Sequence, residues 1–146
     1  MKIMIINGPN LNFLGIREKE IYGVMDYNYL VDMVGEEAKL RDIEAVFFQS
    51  NHEGDLIDKI QEAYLSKYDG IIINPGGFTH TSVALHDALA SVGDMPKVEV
   101  HISNISGREA FRHESLTAPA CSGQIAGFGL KGYVYAMDAV KDMVLL

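Results

Sequence analysis

The chain is poor in cysteine and in positive charge, and each shortage narrows what it can be. Cys121 is the only cysteine among 146 residues. It can form no intrachain disulfide, and one thiol cannot build a thiolate cage for a metal. Lysine and arginine total 12 against 20 aspartate and glutamate, a formal net charge of -8. A general nucleic-acid binder needs a lysine- or arginine-rich face to neutralise phosphates, so none is expected here. A polybasic membrane anchor is disfavoured for the same reason. No apolar run approaches the roughly 18 residues that span a bilayer. The chain begins Met1-Lys2 and enters an apolar run at once, without a secretory pattern. A cytoplasmic location is therefore expected.

Several cofactor signatures are missing as well. There is no His-x-x-x-His pair and no cluster of carboxylates at ligand spacing, so no metal is expected. The first loop, Asn7-Gly8-Pro9-Asn10-Leu11-Asn12, has neither the Gly-x-Gly-x-x-Gly fingerprint nor the Walker Gly-Lys-Ser/Thr ending. It also lacks the hydroxyl-rich phosphate loop of a flavin-binding flavodoxin and the acidic pair of a response-regulator receiver. No organic cofactor is expected.

What is present reads as alternating strand and helix. Hydrophobic residues make up 48% of the chain, and this length lets one domain bury roughly two thirds of its unfolded surface. No linker, repeat or low-complexity segment interrupts it, so residues 1–146 are expected to form a single domain. Ile3 to Ile6, Ala45 to Phe48, Gly70 to Ile73 and Val98 to Ile102 are short apolar runs closed by turn residues, as buried strands are. Gln124 to Gly127 is a fifth candidate. Asp26 reads as an N-cap, with Tyr27, Leu30, Val34 and Ala38 following at helical spacing. Glu53 to Lys67 carries Leu56, Ile57, Ile60, Ala63 and Tyr64 on one face. Thr81 or Ser82 should cap a helix with Val83, Leu85, Ala88 and Leu89 inward. Leu130 to Leu146 should form a last helix on Tyr133, Val134, Met137 and Val140. Such alternation implies a parallel sheet with right-handed crossovers. The expected fold is a flavodoxin-like three-layer α/β sandwich with five parallel strands.

In such sheets ligands bind beyond the carboxyl ends of the strands, and here those ends are polar. Asn7, Asn10, Asn12, Arg17 and Tyr22 follow the first strand. Gln49, Asn51, His52 and Glu53 follow the second, and Asn74, Gly76, Gly77, Thr79 and His80 the third. The fourth ends in Glu99-Val100-His101, then Ser103, Asn104, Arg108 and Arg112. Plain readings exist for many of these. Asparagines after strands form turns, paired glycines permit them, and a loop arginine is usually solvated. His52 and His113 read as surface or helix-start residues, and His86 as structural. Glu99 and His101 stand out, because period-two alternation puts both on one face of a strand that reads as buried. A carboxylate beside an imidazole can fix its tautomer and favour its charged form. The loops together suit a small, oxygen-rich anion handled by acid–base chemistry.

These segments, taken in order, resemble type II 3-dehydroquinate dehydratase (type II dehydroquinase) over nearly the whole chain. The matching stretches are Asn7 to Asn12, Arg17-Glu18 with Tyr22-Gly23, Gln49 to Gly54, Asn74 to Ser82, Asp87 to Leu89, Val98 to Asn104, Arg108-Glu109 and Phe111-Arg112. The resemblance implies reversible dehydration of 3-dehydroquinate to 3-dehydroshikimate through an enolate, in the shikimate route to aromatic amino acids or in quinate breakdown. It implies no metal, no organic cofactor and no Schiff-base lysine. Tyr22 matches the family's base, whose phenol, with a pKa of about 10, needs a guanidinium to favour its anion. Arg17 and Arg108 are the candidates for that role, and Arg17 also matches the lid arginine that stabilises the transition state. Asn10 matches the residue that helps hold the enolate oxygen. His101 matches the general acid, with Glu99 supporting it.

The same resemblance assigns the backbone of Ile102 and Ser103, with the Ser103 hydroxyl, to the substrate carboxylate. It assigns Asn74, His80 and Arg112 to the ring hydroxyls. Asp87 matches a residue that reaches a neighbouring subunit's site, which implies trimers assembled into a homododecamer. Ser106, Gly107 and His86 depart from residues common at those places. A flavodoxin-like binding or signalling module without turnover remains the alternative, because fold alone does not decide function.

Overall fold

The computed structural model describes residues 1–16 and 25–146. Arg17 and Tyr22 lie outside the described residues. The sheet has five strands: β1 (Lys2–Asn7), β2 (Glu44–Gln49), β3 (Gly70–Asn74), β4 (Lys97–His101) and β5 (Gly123–Ala126). All pairings are parallel, in the order β2-β1-β3-β4-β5. The helices among the described residues are α1 (Tyr27–Leu40), α2 (Glu53–Leu65), α3 (Val83–Ser91) and α4 (Lys131–Leu145). None is long and apolar enough to cross a membrane.

Strand alternation builds two cores. Ile3, Ile5, Ile72, Val98 and Val100 point to one face and pack with Leu30 and Val34 of α1 and with Tyr133, Met137 and Val140 of α4. Met4, Ile6, Ile71 and Ile73 point to the other, against Leu56 and Ile60 of α2 and Leu85 and Leu89 of α3. β3 lies in the middle with both faces covered and is buried throughout. Each fully buried isoleucine there contributes about 1.5–3 kcal/mol by leaving water. This is the three-layer α/β sandwich expected from the sequence.

The helix starts follow from capping. The Asp26 carboxylate accepts from the Tyr29 amide at 2.8 Å, and the Ser82 hydroxyl accepts from the Leu85 amide at 2.8 Å, each satisfying an orphan donor of a first turn. Arg41, just past α1, pairs with Glu37 at 2.7 Å and with Asp138 of α4 at 2.6 Å. Arg41 precedes β2 and so lies away from the carboxyl ends of the strands.

Three inward placements expected from spacing are corrected. β2 is an edge strand and only half-buried, because the chain returns past β1 to lay down β3 on the other side. Tyr64 is 54% exposed and Val83 63% exposed. They sit in the last and first turns of their helices, where the chain is leaving or has yet to reach the sheet.

The same reversal creates the site. The chain leaves β1 toward β2 and comes back to β3, so the loops after β1 and β3 diverge at a topological switch point. That is the position where α/β sheets open a crevice.

Candidate active site

The carboxyl ends of β1, β3 and β4 surround a cavity of about 140 Å³. Pro9 to Leu11 line it from β1, Asn74, Gly76, Gly77 and His80 from β3, and His101 to Ser103, Ile105, Arg108 and Arg112 from β4. A wider depression of about 550 Å³ at the amino ends of β3 and β4 is lined by Tyr68, Met95, Pro96 and Val144 among others. Volume does not mark the site; the first cavity has the converging polar groups.

Two loops meet closely to form its wall. The Gly8 amide donates to the Asn74 carbonyl at 2.7 Å, and a Cβ on Gly8 would lie 2.5 Å from the Pro75 carbonyl oxygen. Only glycine allows that approach. Asn10 has φ 70, the left-handed region that asparagine tolerates. Its amide donates to Asn51 Oδ1 at 3.0 Å. Gln49 Nε2 donates to the Gly8 carbonyl at 3.1 Å and to Asn51 Oδ1 at 3.2 Å. The polar end of β2 therefore braces the β1 loop.

Asn74 is 4% exposed and held at both ends of its amide. Its Oδ1 accepts from the Gly76 amide at 3.1 Å, and its Nδ2 donates to the Tyr133 hydroxyl at 3.0 Å. Tyr133 in turn donates to Asn7 Oδ1 at 2.6 Å. The His80 Nδ1–H donates to the Glu114 carbonyl at 2.7 Å, which leaves Nε2 as the nitrogen for a bound molecule.

His101 and Glu99 do share a face, and both are buried. The His101 Nε2–H donates to Glu99 Oε2 at 2.8 Å, so the other ring nitrogen serves the cavity. Burial pushes the Glu99 carboxyl up. Bonds from His101, its charge, and bonds from Thr117 and Thr79 outweigh burial and hold it below the ordinary carboxylate range. Thr79 and Ser115 each donate to Oε2 at 3.0 Å, Gln124 does so at 3.1 Å, and Thr117 donates to Oε1. A pair exposed on a solvated strand is excluded.

In the loop after β4, Arg108 Nη1 donates to the Ser103 hydroxyl at 3.4 Å. Arg112 donates to Glu109 at 3.2 Å and lies over the Phe111 ring at 4.9 Å. Two arginines thus line the cavity together with amides and imidazoles, which suits a small anion rich in oxygen.

Eight of the residues singled out from the sequence line one cavity: Asn10, Asn74, His80, His101, Ile102, Ser103, Arg108 and Arg112. Glu99 stands behind His101. Asp87 is exposed on α3 and does not line the cavity of its own chain. Thr79, Ser115, Thr117 and Gln124 around Glu99 were not picked out as site residues, and neither was Tyr133 at Asn74. Thr79 shows in the sequence only as one of the polar residues after β3, and Ser115 and Thr117 only as a hydroxyl-bearing stretch after β4.

Fold and site together define an α/β enzyme of the acid–base type, with its imidazole–carboxylate pair at the switch point of the sheet. Residues 1–141 match the family model described as Dehydroquinase class II. A 3-dehydroquinate dehydratase of Lachnospira eligens is 60% identical over 145 residues, 99% of each chain. The crystal structure of the type II dehydroquinase from Butyrivibrio crossotus is 62% identical, with a TM-score of 0.95 and 97% of each chain covered. That of the type II dehydroquinase from Propionibacterium acnes is 35% identical, with a TM-score of 0.91 and coverage of 99% of this chain and 97% of that one. The chain belongs to the class II dehydroquinase family, and it is a hydro-lyase. A binding module without turnover is not favoured.

Proposed function

We propose that the chain, as one catalytic domain, removes water from 3-dehydroquinate to give 3-dehydroshikimate, with its residues in the roles that follow. Tyr22, as phenolate favoured by Arg17 or Arg108, takes the proton α to the ketone. The electron pair left behind moves onto the carbonyl oxygen as an enolate, which Asn10 helps hold through a water. Arg17 stabilises that transition state. The enolate then re-forms its carbonyl and expels the C1 hydroxyl, which leaves as water with a proton from His101.

Glu99 balances the charge on His101 during that transfer. The substrate carboxylate rests on the backbone of Ile102 and Ser103 and on the Ser103 hydroxyl, near Arg108. Asn74, His80 and Arg112 hold the ring hydroxyls, an assignment supported by the way Tyr133 and Gly76 orient the Asn74 amide. Asp87 reaches toward a neighbouring subunit in a homododecamer of trimers, in keeping with its exposure on α3. We place the enzyme in the cytoplasm, on the shikimate route to aromatic amino acids.

The observation that carries this reading is the buried His101–Glu99 pair at a cavity that two arginines also line. Addition of 3-dehydroquinate should raise the ultraviolet absorbance of the conjugated enone product. Folded protein that produces no rise would sink the reading. Borohydride added with substrate should leave the enzyme active, because no lysine imine takes part; covalent trapping on a lysine would contradict it.

A further inference from the structure

We infer that Thr117, with Thr79 and Ser115, is a positioning device that holds Glu99 as an anion aimed at His101. The inference rests on the reading of His101 as the general acid. Glu99 is 0% exposed, as are Thr79 and Thr117. A carboxylate taken wholly out of water becomes neutral unless its oxygens are filled by donors. The imidazole of His101 supplies one. The three hydroxyls and Gln124 supply the rest, so five donors surround a group that accepts about four bonds.

The hydroxyl oxygens also lie within hydrogen-bond distance of one another: Thr79 and Ser115 at 2.6 Å, Thr79 and Thr117 at 2.8 Å, and Ser115 and Thr117 at 3.3 Å. Each has one hydrogen, so the three share theirs between Glu99 and one another, while the His101 imidazole and the Gln124 amide always donate to Oε2. A protonated Glu99 would instead need one of the hydroxyls to turn away and accept. The cage therefore selects the charged carboxylate, and the charged carboxylate is what offsets an imidazolium. Thr117 bears on Oε1, the oxygen that His101 does not touch. It fixes the tilt of the carboxylate while the other oxygen faces the imidazole.

The cage is also tied to the cavity wall. The Leu116 amide donates to the Thr79 carbonyl at 2.6 Å, and the Ala118 amide to the Ser115 hydroxyl at 2.9 Å. His86 of α3 holds the Leu116 carbonyl at 2.6 Å, and His80 holds the Glu114 carbonyl at 2.7 Å. The strap that supplies two hydroxyls to Glu99 is thus anchored by a histidine that lines the cavity.

The titratable groups facing this face of β4 are few. His101 and Lys97 flank Glu99 on the strand itself, and Lys97 is bound to the Gly93 carbonyl at 2.5 Å. Cys121 follows the strap, and His80 and His86 approach from the β3 side. β3 and β5 bring no charged side chain, only Gln124.

The test measures turnover of 3-dehydroquinate across pH, with melting temperature in parallel. Thr117→Val keeps the shape and loses the donor. It should lower kcat about tenfold or more, the scale of a bond to a charged group, with KM little changed. The acid limb of kcat should move to higher pH, because a carboxyl short of donors protonates sooner. Thr117→Ser should restore both. A Thr117→Val enzyme with normal kcat and an unmoved acid limb would overturn the inference, as would a Thr117→Ser enzyme as impaired as the valine variant. If Thr117→Val does not fold, Ser115→Ala should show the same shift of the acid limb, and an unmoved profile there would overturn it equally. Wild-type protein without turnover, or His101→Asn with full turnover, overturns the reading beneath. Loss in His101→Asn with none in Thr117→Val overturns the cage alone.

Discussion

The hydroxyl of Tyr133 accepts a hydrogen bond of 3.0 Å from the side-chain amide of Asn74, across 59 residues of sequence. Through this bond the C-terminal helix α4, which packs on one face of the sheet, sets the orientation of a cavity-lining amide. Tyr133 has no exposure and also donates to Asn7, which has none either.

Tyr133→Phe should therefore act twice. It leaves Asn7 Oδ1 without that donor in a dry interior, which costs about 1–3 kcal/mol. A lowered denaturant midpoint with an unchanged slope would register it. It also leaves the Asn74 amide held by the Gly76 bond alone, so KM for 3-dehydroquinate should rise more than kcat falls. An unchanged KM would show that Asn74 needs no brace.

Tyr22→Phe removes only a hydroxyl. Turnover should drop by orders of magnitude while circular dichroism and melting stay as in the wild type, because a base in contact with the reacting proton contributes about 10²–10⁴-fold. Near-normal turnover would remove Tyr22 as the base.

Much of this architecture was legible in the chain. Asp26 and the pair Thr81-Ser82 announce helix starts because a side-chain oxygen followed by apolar residues at helical spacing has few other uses. Glu99 and His101 could be paired because alternation in a strand is strict. Long-range order is where local pattern stops. Nothing near Ala45 to Phe48 says that β2 lies at an edge, since strand order is decided by crossovers elsewhere. Tyr133 read as an inward apolar residue, and its hydroxyl gained meaning only when α4 brought it to Asn7 and Asn74. The hydroxyls at 79, 115 and 117 belong to two separate loops, and only the path of the strap places them around one carboxylate.

Cys121 has a thiol pushed up to about 12 from an ordinary 9.0, first by burial and then by the nearby Glu99 charge, with Lys97 opposing. Such a rise leaves about a thousandth of the thiolate of a free cysteine at neutral pH, and the thiolate is the reacting form. Native protein should react with a thiol reagent such as dithiobisnitrobenzoate far more slowly than unfolded protein. Glu99→Gln should speed the native reaction by removing the repelling charge. Equal rates for native and unfolded protein would contradict this environment.

The Glu99 cage also predicts how stability depends on pH. Burial by itself would raise the folded carboxyl, but bonds from His101, Thr117 and Thr79 outweigh it, and the group titrates below its ordinary value of 4.5. The unfolded chain therefore binds this proton more tightly than the folded one, and acid favours unfolding. The stabilisation from Glu99 is fully present above about 4.5 and is lost as pH falls through the lower folded value. Glu99→Gln abolishes that titration. Other depressed carboxyls, such as Glu37 and Glu109, stay in place in both proteins and cancel in the difference. The variant should melt well below the wild type at neutral pH, since an amide sets its own hydrogens against the hydroxyl and imidazole donors. The gap between the two melting curves should narrow steadily as pH drops below 4.5. A gap of constant size down to the acid transition would mean that Glu99 is not held as an anion by its surroundings.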